Sequence, residues 1–174
     1  MTTITPCLWF DGNGLEAAEY YVSVIPNSRI THVSHYGPDQ PGKDGTVMTV
    51  AFELAGTPYT ALNGGPVFTF TEAISLQVSA ADQDEVDRYT ERLTAGGGEV
   101  GPCGWVKDRF GLSWQVVPEA LLELIGDQDP VRANAAVQAM LGMTKIDIQA
   151  LRDAADAAGA ADAAHAAVPA APTV

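Results

Sequence analysis

The chain has 174 residues, 47% of them apolar, and a formal net charge of −13. That length and apolar content suit one domain of ordinary size with a packed core. Nine basic residues against 22 acidic ones exclude nucleic acid as a partner, because a phosphate backbone needs a Lys/Arg surface. No apolar stretch nears the roughly 20 residues that span a bilayer, so no membrane partner is expected. Cys7 and Cys103 are the only cysteines, and the N-terminus lacks a basic segment followed by an apolar run. The expectation is a cytoplasmic protein with reduced thiols.

In chain order, Ile4 to Phe10 reads as the first strand, with Pro6 near its start, where a missing N–H does least harm. Asn13 followed by Glu16 has the form of a capping box, and Leu15, Ala18, Val22 and Ile25 recur as one apolar stripe of a helix that Pro26 ends. Arg29 to Tyr36 alternates as a strand. Gly37 to Gly45 is a loop rich in glycine and proline, and Val47 to Leu54 with Pro58 to Asn63 form a hairpin before Asn63-Gly64-Gly65-Pro66 breaks the chain.

The same order then begins again. Ala73 to Ser79 is a strand, and Asp82 with Glu85 caps a helix whose stripe is Val86, Tyr89 and Leu93. Gly96, Gly97 and Gly98 end it. A short strand at Glu99 and Val100 leads to a strand from Trp105, a charged turn at Asp108, Arg109 and Gly111, and a last strand from Leu112 to Val117 that Pro118 closes. Strand, helix and a run of strands thus occur twice, offset by about 67 residues from Pro6 to Ala73, a repeat of pattern with little shared identity. Past Pro118, helices are expected over Glu119 to Ile125, from Asp129-Pro130, and from Asp147 through Ile148 and Leu151. From Ala154 onward the composition collapses to alanine with scattered aspartate, read as a flexible tail outside the function.

The strings ITPCLWFDG, ALNGGP, CGWVKD and FGLSWQVVP, in this order and followed by helices, resemble the PhnB-like family. That family, often labelled 3-demethylubiquinone-9 3-methyltransferase-like, is part of the vicinal oxygen chelate superfamily of glyoxalases, bleomycin-resistance proteins and extradiol dioxygenases. The resemblance covers roughly Thr3 to Leu151. It implies an α+β fold of paired βαβββ modules over residues 1–118 curving around a cup, a helical extension of the same domain over 119–153, a tail over 154–174, and a homodimer.

Superfamily enzymes hold a divalent metal with side chains from the opening and closing strands of the modules. By this resemblance Pro6 and Ala73 fall where strand-opening histidines would stand, and Gln115 where the last strand's glutamate would stand. Three or more converging donors are needed, and Gln115 with Asn63 would give two neutral carbonyls, so no metal is expected. His32 and His35 are three apart on a strand, which aims them at opposite faces, and His165 lies in the tail.

No catalytic residue stands out. Cys103 and Cys7 read as packed thiols, Cys7 in the core, and Asp108 with Arg109 as a solvated turn. The methyltransferase label is not supported by glycines for a nucleotide-type cofactor: Gly96 to Gly98 follow a helix, and Gly64-Gly65 lead into proline. What remains is a cavity of neutral polar groups, Asn63, Gln77, Ser113 and Gln115, with Trp105, Trp9 and Phe110 as flat apolar surface. In the last strand Ser113, Gln115 and Val117 share one face, and Leu112, Trp114 and Val116 the other. Gln115 leads the candidates, because an amide in mid-strand must find partners or water. Gln77 competes as a solvated position and Trp9 as a core residue under a helix. The expected function is metal-free binding of a small organic molecule for sequestration or sensing; the alternative is a divalent-metal-dependent lyase, isomerase or dioxygenase.

Overall fold

The computed structural model describes residues 2–166, and the chain divides into two compact units between Thr71 and Glu72. The first contains β1 (Cys7–Phe10), α1 (Gly14–Val24), β2 (Arg29–His35), β3 (Val47–Leu54) and β4 (Thr57–Asn63). Its sheet runs β1-β4-β3-β2, with β1 parallel to β4 and the other neighbours antiparallel. The second repeats this order with β5 (Ser75–Ala80), α2 (Gln83–Thr94), β6 (Glu99–Val100), β7 (Trp105–Lys107) and β8 (Ser113–Pro118). Its sheet runs β5-β8-β7-β6, and again the opening strand lies parallel to the closing one. Each unit is a βαβββ module, so the repeated pattern of the sequence is a repeated topology.

Helix α1 buries only part of the stripe the periodicity suggests: Ala18 and Ile25 are in the core. Gly14, Ala17, Ala18, Tyr21 and Val24 are inside, whereas Leu15 and Val22 are half-exposed. The small side chains let the helix settle close to the sheet, where Val50, Phe52 and Ala61 are at most 1% exposed. The expected cap is also different: the Asn13 side chain makes no capping bond. Instead Asn63 reaches from β4, its Oδ1 accepting the Gly14 N–H at 2.8 Å. Cys7 and Trp9 alternate with the buried Leu8 and Phe10, and Cys7 is exposed. It is not a core thiol, because the period of 2 turns it to the face opposite Leu8 and Phe10. Trp9 is half-buried on that same face, not under a helix: its indole N–H donates to the Gly65 carbonyl at 2.8 Å, and its ring meets Phe68 edge-on at 5.0 Å.

In the second unit α2 follows expectation. Asp82 accepts the Glu85 N–H at 2.9 Å, and Val86, Tyr89 and Leu93 are buried, joined by Thr90. Beyond the sheet come α3 (Glu119–Ile125), α4 (Pro130–Leu141) and α5 (Ile148–Ala166). The Asp129 side chain caps α4 beside Pro130, and Asp147 accepts the Ala150 N–H at 3.0 Å in the first turn of α5. The alanine-rich stretch from Ala154, expected as a tail, is helix as far as Ala166; residues 167–174 lie outside the described residues. Alanine has the highest helix propensity, and its small side chain permits close packing. Ala136 and Ala155 are both fully buried, and Arg132 of α4 pairs with Asp156 of α5 at 2.7 Å. Packing therefore extends into the start of this stretch, whereas Ala160 to Ala164 are exposed.

Candidate functional site

Strand alternation gathers most of the polar candidates on one face of the second sheet. Gln77 stands opposite Gln115, Trp105 opposite Gln115, and Ser75 and Lys107 opposite Ser113. Gln115 donates to the Ser75 hydroxyl at 2.7 Å, and the exposed Gln77 donates to Gln115 Oε1 at 3.3 Å. The amide in mid-strand thus finds its partners in a relay from Gln77 through Gln115 to Ser75.

Beside this relay lies a cavity of about 320 Å³, lined by Trp105 and Ser113 together with Glu72, Glu99, Val100 and Pro102 among others. Gln77 and Gln115 share its face of the sheet but are not part of the lining. Ser113 is 2% exposed. On the rim, Lys107 Nζ meets Glu72 Oε1 at 2.6 Å. That hydrogen bond holds the Glu72 carboxyl below, and the Lys107 ammonium above, their ordinary values, so both stay charged at neutral pH. The wall at Pro102 belongs to the loop before β7, where Cys103 and Gly104 adopt φ of 55° and 79°. Their N–H groups donate to the Met143 and Thr144 carbonyls at 2.8 and 2.7 Å. The segment between α4 and α5 therefore fixes one wall of the cavity.

Asn63 belongs to the first unit and is committed there. Beyond its bond to Gly14, its Nδ2 donates to the Val47 carbonyl at 3.0 Å, and its own carbonyl accepts the Tyr36 hydroxyl at 2.7 Å. A larger cavity of about 630 Å³ adjoins it, walled by Tyr36, Pro41 and the glycines Gly12, Gly42, Gly64 and Gly65. Asn63, Tyr36 and the Thr46 hydroxyl are engaged within the fold, and Asp11 adds a carboxylate to the wall. Phe110 carries the Arg109 guanidinium over its ring at 4.8 Å and does not line the cavity of the second unit.

The sequence reading of Asp108 as a solvated turn residue is overturned. Asp108 is 3% exposed, and its carboxylate accepts the N–H groups of Phe110 at 2.8 Å and Leu112 at 3.1 Å and the Trp114 indole N–H at 2.8 Å. It organises the β7–β8 turn from inside. An Asp opening a glycine-containing hairpin turn with a Trp six residues on is the signal that marks it.

The chain matches the model of the 3-demethylubiquinone-9 3-methyltransferase family over residues 2–117. It belongs to that family. The PhnB protein from Bacillus cereus shares 32% identity over 67% of this chain and 99% of its own, with a TM-score of 0.59. Protein PA1353 from Pseudomonas aeruginosa, at 23% identity over 68% of this chain and 98% of its own, superposes with a TM-score of 0.55. The fosfomycin resistance protein FosX from Listeria monocytogenes is 17% identical over 67% of this chain and 89% of its own, with a TM-score of 0.47. No curated protein matches the chain. The fold is the glyoxalase/bleomycin-resistance fold, and the family is the PhnB-like one of the vicinal oxygen chelate superfamily. Helices α3 to α5 lie beyond the residues matched by the family model.

The described residues offer no fitting site for a metal or a nucleotide-type cofactor. On β5 and β8 the side chains facing one another are Ser75, Gln77, Ser113 and Gln115, a neutral set without imidazole or carboxylate. Among the described residues there is no group of three or more His, Cys, Asp or Glu able to hold a metal ion. His32 and His35 are both exposed on β2, where the register with β3 shifts beside each of them, so simple alternation does not carry through. Two glycines missed in the sequence do stand between a strand and a helix, Gly12 and Gly14, but Gly14 serves the fold. A Cβ there would come within 2.7 Å of Asn63 Oδ1. Its N–H, which a phosphate would seek, is already bound to that oxygen. At the matching turn of the second unit, Asp82 caps α2 itself.

Proposed function

We propose that this PhnB-like protein binds a small organic molecule without a metal, in the cavity beside β6, β7 and β8, and acts by sequestration or sensing in the cytoplasm. The observation that carries this reading is the joining of Trp105 and Ser113, an aromatic wall and the hydroxyl of a largely buried serine, in a cavity of about 320 Å³. That volume lies at the low end of the range for small-molecule pockets, which is about 300–1,000 Å³. The neutral relay of Gln77, Gln115 and Ser75 on the same face extends the polar surface available to such a ligand. Methyl transfer forms no part of the reading, since both strand–helix turns are capped by protein side chains.

A fragment screen by thermal unfolding of chelator-treated protein tests it. Compounds that bind only the native state raise the melting temperature, and Trp105→Ala should abolish the rise. Stabilisation that survives this change would place the ligand elsewhere and reject the site. We further propose a homodimer, so light scattering should give twice the chain mass of 18.2 kDa; a monomeric mass would remove the dimer.

A further inference from the structure

The geometry points to an uncharged aromatic molecule with a polar, hydrogen-bonding edge as the ligand of this cavity. The inference rests on the binding reading above and adds the chemical class. Its first support is Ser113. This residue lines the cavity and is 2% exposed, yet its hydroxyl makes no hydrogen bond to any of the described residues. Its residual accessible surface opens to the cavity, and a hydroxyl there can both donate and accept. It therefore selects a ligand that presents an amide, phenol or carbonyl edge at that point.

The second support is the wall. Val100, Pro102 and Trp105 offer apolar surface, and the Trp105 indole favours a flat ring in stacked or edge-on contact. The third is the state of the charges. Lys107 is the only basic residue of the lining, and its ammonium is taken by Glu72 at 2.6 Å. An anion would have to break that pair against a chain whose net charge is −13. A cation finds no better reception: the Glu72 carboxylate is likewise taken, and Glu99, paired in register with Lys107, is exposed on the short edge strand β6, where solvent and salt screen it. Burying either sign in the cavity leaves a charge without a dedicated partner, which costs more than burying a neutral ring.

A matched series separates these possibilities. 1-Naphthamide, 1-naphthoate and 1-naphthylmethylammonium share a ring system and differ in charge. Each is titrated at pH 7 and 0.15 M salt into isotope-labelled protein, following the indole N–H signals of Trp9, Trp105 and Trp114, with Trp105→Phe to assign the central one. The expected result is that the amide shifts the Trp105 signal and binds at least about tenfold more tightly than both charged analogues. Ser113→Ala should weaken the amide by roughly two- to tenfold, the loss of one neutral hydrogen bond, with the Trp114 signal unmoved as a check on the fold. Glu72→Gln, which releases Lys107, should raise naphthoate affinity by roughly two- to fivefold, as suits an exposed ion pair.

If a charged analogue binds at Trp105 as tightly as the amide, the chemical class is wrong while binding at this cavity stands. Indifference to Ser113→Ala or to Glu72→Gln likewise overturns the class. If no member of the series moves the Trp105 signal at millimolar concentration, the binding reading falls together with the class.

Discussion

At the scale of single residues, two buried polar side chains bond within the fold, Asp108 at a turn read from the sequence as solvated and Asn63 at a position read as facing a cavity. Asp108 gathers two backbone N–H groups and the Trp114 indole N–H inside the β7–β8 turn. Replacing it with alanine leaves two buried donors and one part-buried donor without an acceptor, and each buried loss costs about 1–3 kcal/mol. We expect Asp108→Ala to destabilise the protein by at least about 3 kcal/mol in urea unfolding, and Asp108→Asn, which retains one acceptor oxygen, to cost less. Equal effects would mean that the carboxylate is not the organising group. Asn63 plays a similar part in the first unit, joining α1, β3 and β4 through Gly14 and Val47. Asn63→Ala should cost about 2 kcal/mol and leave naphthamide affinity at Trp105 unchanged; a lost affinity with unchanged stability would return Asn63 to the list of ligand residues. Both roles depend on partners that strand pairing or the turn brings near. Gly14 lies 49 residues from Asn63, and no periodicity within one element connects them. Asp82, Asp129 and Asp147, by contrast, cap helices within three residues of themselves, and so they are readable from the sequence.

At the scale of elements, the alternation of β8 carries directly from sequence to site. Ser113 and Gln115 share a face, and Trp105 joins them through the antiparallel register with β7. Helix α1 was readable in part: Ala18 and Ile25 of the expected stripe are buried, while a search for large apolar side chains passes over Ala17 and Gly14 on the same helix. The same blind spot applies to the middle of α5, where Ala155 is fully buried and Asp156 pairs with Arg132 of α4. These C-terminal helices also touch the site. The segment before α5 accepts the Cys103 and Gly104 N–H groups, and Gln83 of α2 bonds the Ile146 carbonyl at 3.1 Å and the Ile148 N–H at 2.9 Å. Ile146 is fully buried, with its side chain against Gly104, where an added Cβ would lie 3.0 Å from it. Ile146→Ala should cost about 2–5 kcal/mol, as cavity-forming changes do. It should also weaken naphthamide binding, because the loop carrying Pro102 loses its support. A variant that is destabilised but binds normally would show that the cavity wall stands without the extension.

At the scale of the whole molecule, two βαβββ units of one topology share no set of chemical groups. The first unit spends its strand–helix turn and its best-placed amide on its own fold, and the second keeps a cavity bordered by the Ser113 hydroxyl. No helix among the described residues is long and apolar enough to cross a membrane. The family's fold was legible because motif strings and the repeated order of elements point the same way. The site was legible only in part, since alternation places side chains on a face but does not say which of them border a cavity: Gln115, the leading candidate, lies beside the lining rather than in it. The central claim is the proposed metal-free binding. The most direct test is elemental analysis of the purified protein, together with its thermal unfolding in Mn²⁺, Ni²⁺, Zn²⁺ and Fe²⁺. The account predicts no stoichiometric metal and no ion-specific rise in melting temperature. Near one metal per chain, or strong stabilisation by a single ion, would contradict it and turn attention to lyase, isomerase or dioxygenase chemistry.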